Sequence, residues 1–202
     1  LIGDVSPIRS RSVNDCVGLQ QVGVRRGGEV WATREARAIL KCAHHIGEEE
    51  RVVMRHGGKI LIDQLESQGT TAAFTVPGES FLAALDGLHD SNRIKTVICR
   101  QEGGAAMMAE AWGKVAGEPG ICFVTRGPGA ANAMAGLHVA QQDSTPMIMF
   151  LGLPGEKHED REAFQEIETK QLFSSFVKWS AVIRSTARIP EYVSHAYHAA
   201  KN

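Results

Sequence analysis

Glu102 stands three residues after Cys99, the last residue of a short apolar run, and is followed at once by Gly103, Gly104, Ala105 and Ala106. A carboxylate at the start of a helix is stabilised by the helix dipole, by about 0.3–1 kcal/mol, so an ordinary first-turn acid is one reading of it. The glycines argue for more. Each costs a helix about 1 kcal/mol relative to alanine, and small residues there imply close approach by another helix or by a flat ligand. A second turn, Val76-Pro77-Gly78-Glu79, joins a fixed φ to a permissive one and leaves open space above the backbone. A third, Thr125-Arg126-Gly127-Pro128-Gly129-Ala130-Ala131-Asn132, opens a helix; Asn132 falls about one turn in, where its amide can face the same crevice as Glu102. These glycines match neither GxGxxG nor GxxxxGKS/T. A phosphate cradle is therefore a weak reading, and a dinucleotide-binding domain is set aside.

The three turns need a framework that brings them to one edge. From residue 57 on, helical and strand patterns alternate. GGKILIDQLESQG predicts a helix with Ile60, Leu61 and Leu65 on one face and Gly69 as its stop. TAAFTVPG, IKTVIC, GICFVT and PMIMFLG read as strands, and FVKWSAVI as a fifth. Between them, Glu79 to His89 carries Phe81, Leu82, Leu85 and Leu88 at helical spacing, and QEGGAAMMAEAWGKVAG and GPGAANAMAGLHVAQQ read as helices. Pro190 opens a last helix to Ala200. The strands are continuous apolar runs, as in strands buried on both faces. The expected fold class is α/β, a parallel sheet with helices on both faces. Ligands bind such sheets beyond the carboxyl ends of the strands, where all three turns fall.

Composition limits the alternatives. The 202 residues are 43% hydrophobic and 22% charged, with a net charge of −1, which is the make-up of a globular protein without the basic surface of a nucleic-acid binder. No apolar run approaches the roughly 20 residues that span a bilayer. Cys16, Cys42, Cys99 and Cys122 form no C-x-x-C pair, residues 1–30 hold no signal-like apolar stretch, and a reducing cytoplasm is expected. Residues 1–56 show no sustained period beyond a possible helix from Thr33 to His45. They are expected to be an extension of non-native origin, with the true start at Met54 after the run Glu48-Glu49-Glu50. Cys42, His44 and His45 lack further ligands at zinc spacing, so no metal site is assigned. His138 is read as structural, residues 156–162 as a solvated run, and Met107, Met108, Met134, Met147 and Met149 as core or interface packing.

Taken jointly, VPG, an RQEGGAA-type glutamate about 25 residues on, and GPGAAN about 25 further on form a specific pattern. The segment RQEGGAAMMAEAWGKVAGEPGICFVTRGPGAANAMAGLHVAQQDSTPMIMFLG resembles the pyrimidine-binding domain of thiamine diphosphate-dependent enzymes, most closely the acetolactate synthase, pyruvate oxidase and 2-oxoacid decarboxylase superfamily. AFQEIE and Lys178 are similar to the acetolactate synthase branch, and the resemblance runs from about Gly57 to about Ala200. It implies the flavodoxin-like three-layer form of the fold and a thiamine diphosphate cofactor. Glu102 would hydrogen-bond N1′ of the aminopyrimidine and favour the imino tautomer that takes a proton from thiazolium C2. Pro77, Gly78, Thr125, Pro128 and Asn132 would line the pyrimidine pocket. Gln165, accompanied by Phe164, matches an active-site glutamine of the acetolactate synthase branch. The QEGGAA helix would meet its copy in a second subunit of a homodimer.

Family members hold the diphosphate through Mg2+ bound by a GDG…NN motif on another domain, and this chain contains neither GDG nor NN. The expectation is half of a cofactor site, in an N-terminal fragment or a subunit whose partner domain or chain supplies the rest, with a small 2-oxoacid as substrate. Alone it is expected to bind the cofactor weakly and turn nothing over. The alternative is a non-catalytic dimerisation or regulatory module that keeps the fold.

Overall fold

Four of the apolar runs pair side by side into one parallel sheet. The computed structural model describes residues 55–202 and, before them, two short strands, β1 (Val22–Val24) and β2 (Val30–Ala32), which form an antiparallel pair with Gly23 opposite Trp31. The helix expected from Thr33 to His45, the Cys42–His44–His45 group and the start expected at Met54 lie outside the described residues. From residue 57 the order is α1 (Gly57–Ser67), β3 (Ala72–Thr75), α2 (Leu82–Asp90), β4 (Lys95–Ile98), α3 (Glu102–Ala116), β5 (Gly120–Val124), α4 (Gly127–Gln142), β6 (Met147–Leu151), α5 (Thr169–Phe173) and α6 (Ile189–Lys201). Short 3₁₀ turns span Glu79–Phe81, Glu156–His158 and Thr186–Arg188.

The strand order is β4-β3-β5-β6, all parallel. After β3 the chain lays β4 on one side, then crosses back to place β5 on the other. The direction of winding therefore reverses between β3 and β5, and a crevice opens there beyond the carboxyl ends. Period-two alternation sends Ala73, Ile121, Phe123 and Ile148 to one face, where Ile62, Leu65, Leu88, Val193 and Tyr197 of α1, α2 and α6 cover them. Ala72, Phe74, Cys122 and Val124 face the other way, onto Ala105, Ala106 and Ala109 of α3 and Ala133 of α4. The alanines let α3 lie close to the sheet. The expected three layers are thus present, with β4 a half-exposed edge rather than a buried strand.

In α1, Ile60 and Leu61 pack, partly covered, against the same core as the fully buried Ile62 and Leu65. Two local expectations need correction. Leu82 is exposed, because a 3₁₀ turn, at three residues per turn, precedes α2 and shifts the helical phase. The fifth strand does not form: residues 176–183 pair with no strand. The amides of Phe176 and Val177 turn back to the carbonyl of Phe173, at 2.9 and 3.2 Å. Trp179 stacks on His195 of α6 at 4.4 Å between ring centroids, and Phe176 meets His138 of α4 edge-on at 6.0 Å. The segment is held by helices rather than by the sheet, and among the described residues β6 keeps an unpaired edge. A cavity of about 830 Å³ runs along that edge, lined by Phe150, Phe176, Val182 and Ala196 among others. Among the described residues no helix is long and apolar enough to cross a membrane.

Candidate active site

Helix α3 begins where the sheet's winding reverses. Its N-cap is Gln101, in extended backbone, whose side-chain oxygen accepts a hydrogen bond from the amide of Gly104 at 2.9 Å. Glu102 is the first helical residue, half-buried at the positive end of the helix dipole. Asn132, in the second turn of α4, donates from Nδ2 to Glu102 Oε2 at 3.0 Å. The two residues that the sequence placed about 30 positions apart thus share a hydrogen bond across the crevice.

The remaining wall is backbone and small side chains. A Cβ on Gly129 would stand 2.7 Å from Thr125 Cγ2 and 3.3 Å from Glu102 Oε1, and one on Gly78 would stand 2.7 Å from Thr125 Cβ. Gly78, Thr125, Gly129, Glu102 and Asn132 therefore form one continuous lining from the end of β3 to the second turn of α4. Thr125 Oγ1 and the Ser80 hydroxyl are hydrogen-bonded at 2.9 Å, which ties the end of β5 to the turn after β3. Pro77 and Pro128 are exposed, the first beside Gly78 and the second in the first turn of α4. Behind the lining, on β5, burial pushes the Cys122 thiol up to about 12, with the charges of Cys99 and Glu102 adding to it.

Gln165 meets this cluster through its backbone. Its carbonyl accepts from the amide of Gly127 at 3.0 Å, and its φ of +61° lies in the left-handed region. Gln165 lines one small pocket together with Asp160, Glu162, Glu166 and Glu168. Phe164 is exposed. The structure thus brings together Glu102, Asn132, Thr125 and Gly78, sets the prolines at the rim, and holds Gln165 at one remove.

Sequence reasoning missed Gln101 as a cap, Ser80 as a brace, and Arg126. The Arg126 guanidinium lies 3.1 Å from Glu79 Oε1 and donates to the carbonyl of Phe164 at 3.2 Å. Only the first had a local signal, a polar residue immediately before a helix. Chemically, the arrangement offers a fixed carboxylate, a neighbouring amide and a side-chain-free wall, which suits a flat polar ring.

Comparison with known proteins gives the family of the chain. Residues 55–172, more than half of the chain, match the family model described as "Thiamine pyrophosphate enzyme, N-terminal TPP binding domain". The chain is 35% identical over 145 residues to the acetolactate synthase large subunit of Lactococcus lactis, covering 72% of this chain and 25% of that protein. It is 32% identical over 153 residues to the acetolactate synthase of Bacillus subtilis, covering 76% and 27%. Against the mitochondrial acetolactate synthase catalytic subunit of Aspergillus candidus the figures are 31% over 152 residues, 75% and 22%. The chain spans about a quarter of the length of these curated relatives.

Proposed function

The chain belongs to the thiamine pyrophosphate enzyme family and carries its N-terminal, pyrimidine-binding domain, and from that premise we propose that Glu102 and Asn132 are the centre of a half-site for thiamine diphosphate in an acetolactate synthase-like enzyme acting on 2-oxoacids. The observation that carries the reading is their hydrogen bond, at 3.0 Å, at the carboxyl end of the sheet where the winding reverses. Gly129 lets α4 pack close against Thr125 and beside Oε1 of Glu102, and the half-buried carboxylate is the polar group that would meet an aminopyrimidine.

Each residue then has a task. Asn132 occupies Oε2 of Glu102 and so fixes the carboxylate plane. Glu102 offers Oε1 to a ring nitrogen and holds the shared proton there, in a charge-assisted bond. Pro77, Gly78, Thr125 and Pro128 bound the ring and exclude water, and Gln165 with Phe164 stands toward the substrate. When bound, the cofactor supplies the electron sink that decarboxylation and carboligation of 2-oxoacids require. Diphosphate and Mg2+ fall to a separate domain or chain.

A second copy of the chain completes the assembly. On α3, Gly104 has open space where a Cβ would be, Met107 and Met108 are exposed, and Val115 is 88% exposed. This face is apolar and uncovered, and small residues there permit close helix approach, so we assign it to a homodimer contact. The cytoplasm is the expected compartment. A module kept only for dimerisation would need that face but not the Glu102–Asn132 pair.

The test is a hydrogen-exchange footprint of thiamine diphosphate with Mg2+ on the full chain combined with its diphosphate-binding domain. Slower exchange is expected at residues 76–80, 100–104 and 125–132, and Glu102→Ala is expected to erase it. Protection confined to residues 174–183 and β6 would overturn the assignment.

A further inference from the structure

Arg126 follows Thr125 at the end of β5, and its side chain is only 16% exposed. A guanidinium so enclosed needs several acceptors to offset lost hydration. It finds one on each side of the crevice mouth: Glu79 Oε1, after β3, at 3.1 Å, and the carbonyl of Phe164 at 3.2 Å. Both contacts use Nη1, and among the described residues the buried Nε has no partner. A buried N–H left unpaired calls for a reason, and the geometry supplies one: the side chain is placed to reach Phe164 rather than to satisfy itself.

The next residue repeats the contact. Gly127 donates its amide to the carbonyl of Gln165 at 3.0 Å, and a Cβ at Gly127 would stand 2.9 Å from that oxygen. On its far side the segment is held by Glu166, whose carboxylate accepts from the amides of Asp160 and Ala163, both at 2.8 Å. Between these ties, Asp160, Glu162 and Gln165 all have φ between 53° and 61°, a conformation unfavourable for L side chains. Backbone of this kind persists only where its surroundings over-determine it.

We propose that Arg126 is the positioning residue that clasps residues 159–168 to the mouth of the crevice and thereby fixes where Gln165 stands relative to Glu102. It touches neither ring nor substrate. Its meaning for catalysis depends on the crevice being the cofactor site; the clasp itself does not.

The experiment compares amide exchange in the full chain for wild type, Arg126→Met and Arg126→Lys. Arg126→Met is expected to speed exchange at Gly127 and at residues 163–168 about tenfold or more, with β5 amides unchanged. Arg126→Lys, which keeps the charge and several donors on one nitrogen but on a stem of different reach, is expected to recover part of that protection. In the enzyme assembled with its diphosphate-binding domain, Arg126→Met is expected to raise KM for the 2-oxoacid while C2 proton exchange stays at the wild-type rate. Wild-type exchange at residues 163–168 in Arg126→Met would overturn the clasp. If that variant loses β5 protection as well, Glu79→Gln decides: acceleration confined to residues 163–168 supports the clasp, and no change refutes it. Should thiamine diphosphate leave no footprint on wild type, the reading of the crevice fails, and the clasp is still judged by the exchange of the chain without ligand.

Discussion

Around Glu102 the backbone of α4 comes so near that a single added methyl would strike Thr125, whereas along β6 an apolar cavity of about 830 Å³ lies open beside the same sheet. The crevice is closed by polar ties of known partner: Gln101 to Gly104, Asn132 to Glu102, Ser80 to Thr125. The β6 edge is covered by aromatic contacts of residues 176–179, Phe176 edge-on to His138 of α4 and Trp179 stacked on His195 of α6, with no backbone pairing among the described residues. One region has a unique geometry set by hydrogen bonds and close approach. The other has apolar surface covered loosely. The difference is the reason the crevice, and not the β6 edge, is the proposed place for a ligand.

That contrast breaks most readily at Gly129. Gly129→Val places side-chain atoms between Thr125 and Glu102, and a forced shift of about 1–3 kcal/mol is expected to lower thiamine diphosphate affinity about ten- to a hundredfold, measured by titration calorimetry on the assembled enzyme. Unchanged affinity would mean the lining is not the pocket. Next is Gly152, after β6 and still at the carboxyl edge, where a Cβ would stand 2.0 Å from Ser80 Oγ and 2.9 Å from its carbonyl carbon. Gly152→Ala is expected to cost about 1–3 kcal/mol in denaturant unfolding. By contrast, Ala196→Leu adds bulk beside the cavity and is expected to be neutral or to stabilise by about 0.5–1 kcal/mol. A loss similar to that of Gly152→Ala would erase the contrast.

The smallest effect is one of pH. Hydrogen bonds from the amides of Ala163 and Asp160 hold the Glu166 carboxyl below its ordinary value. Its contribution is therefore complete above the unfolded value, about 4.3, and is lost as pH falls through the lower folded value. Limited proteolysis within residues 159–168 is expected to rise only below that range. Glu166→Gln should remove the acid-dependent step, and an equal step in that variant would assign it to another group.

The site was more legible than the edge, for a physical reason. Pro77, Gly78, Gly103, Gly104, Pro128 and Gly129 act locally, through φ and the absence of side chains, so their spacing alone announces turns at strand ends. Whether an apolar run pairs as a strand depends on partners far away in sequence. FVKWSAVI has the composition of a strand, yet Trp179 stacks on His195 and the segment follows α6. Arg126 was hidden for the same reason: its acceptors lie 47 residues before it and 38 after it in the chain, and no local pattern names them.

The proposed function requires Glu102 to polarise a ring nitrogen. The most direct measurement is the rate of thiazolium C2 proton exchange in thiamine diphosphate bound to the assembled enzyme, followed by NMR in deuterated solvent for wild type and Glu102→Gln. A fall of about a hundredfold or more is expected, on the usual scale of a positioned acid–base group. An exchange rate in Glu102→Gln close to that of wild type would contradict the role given to this carboxylate.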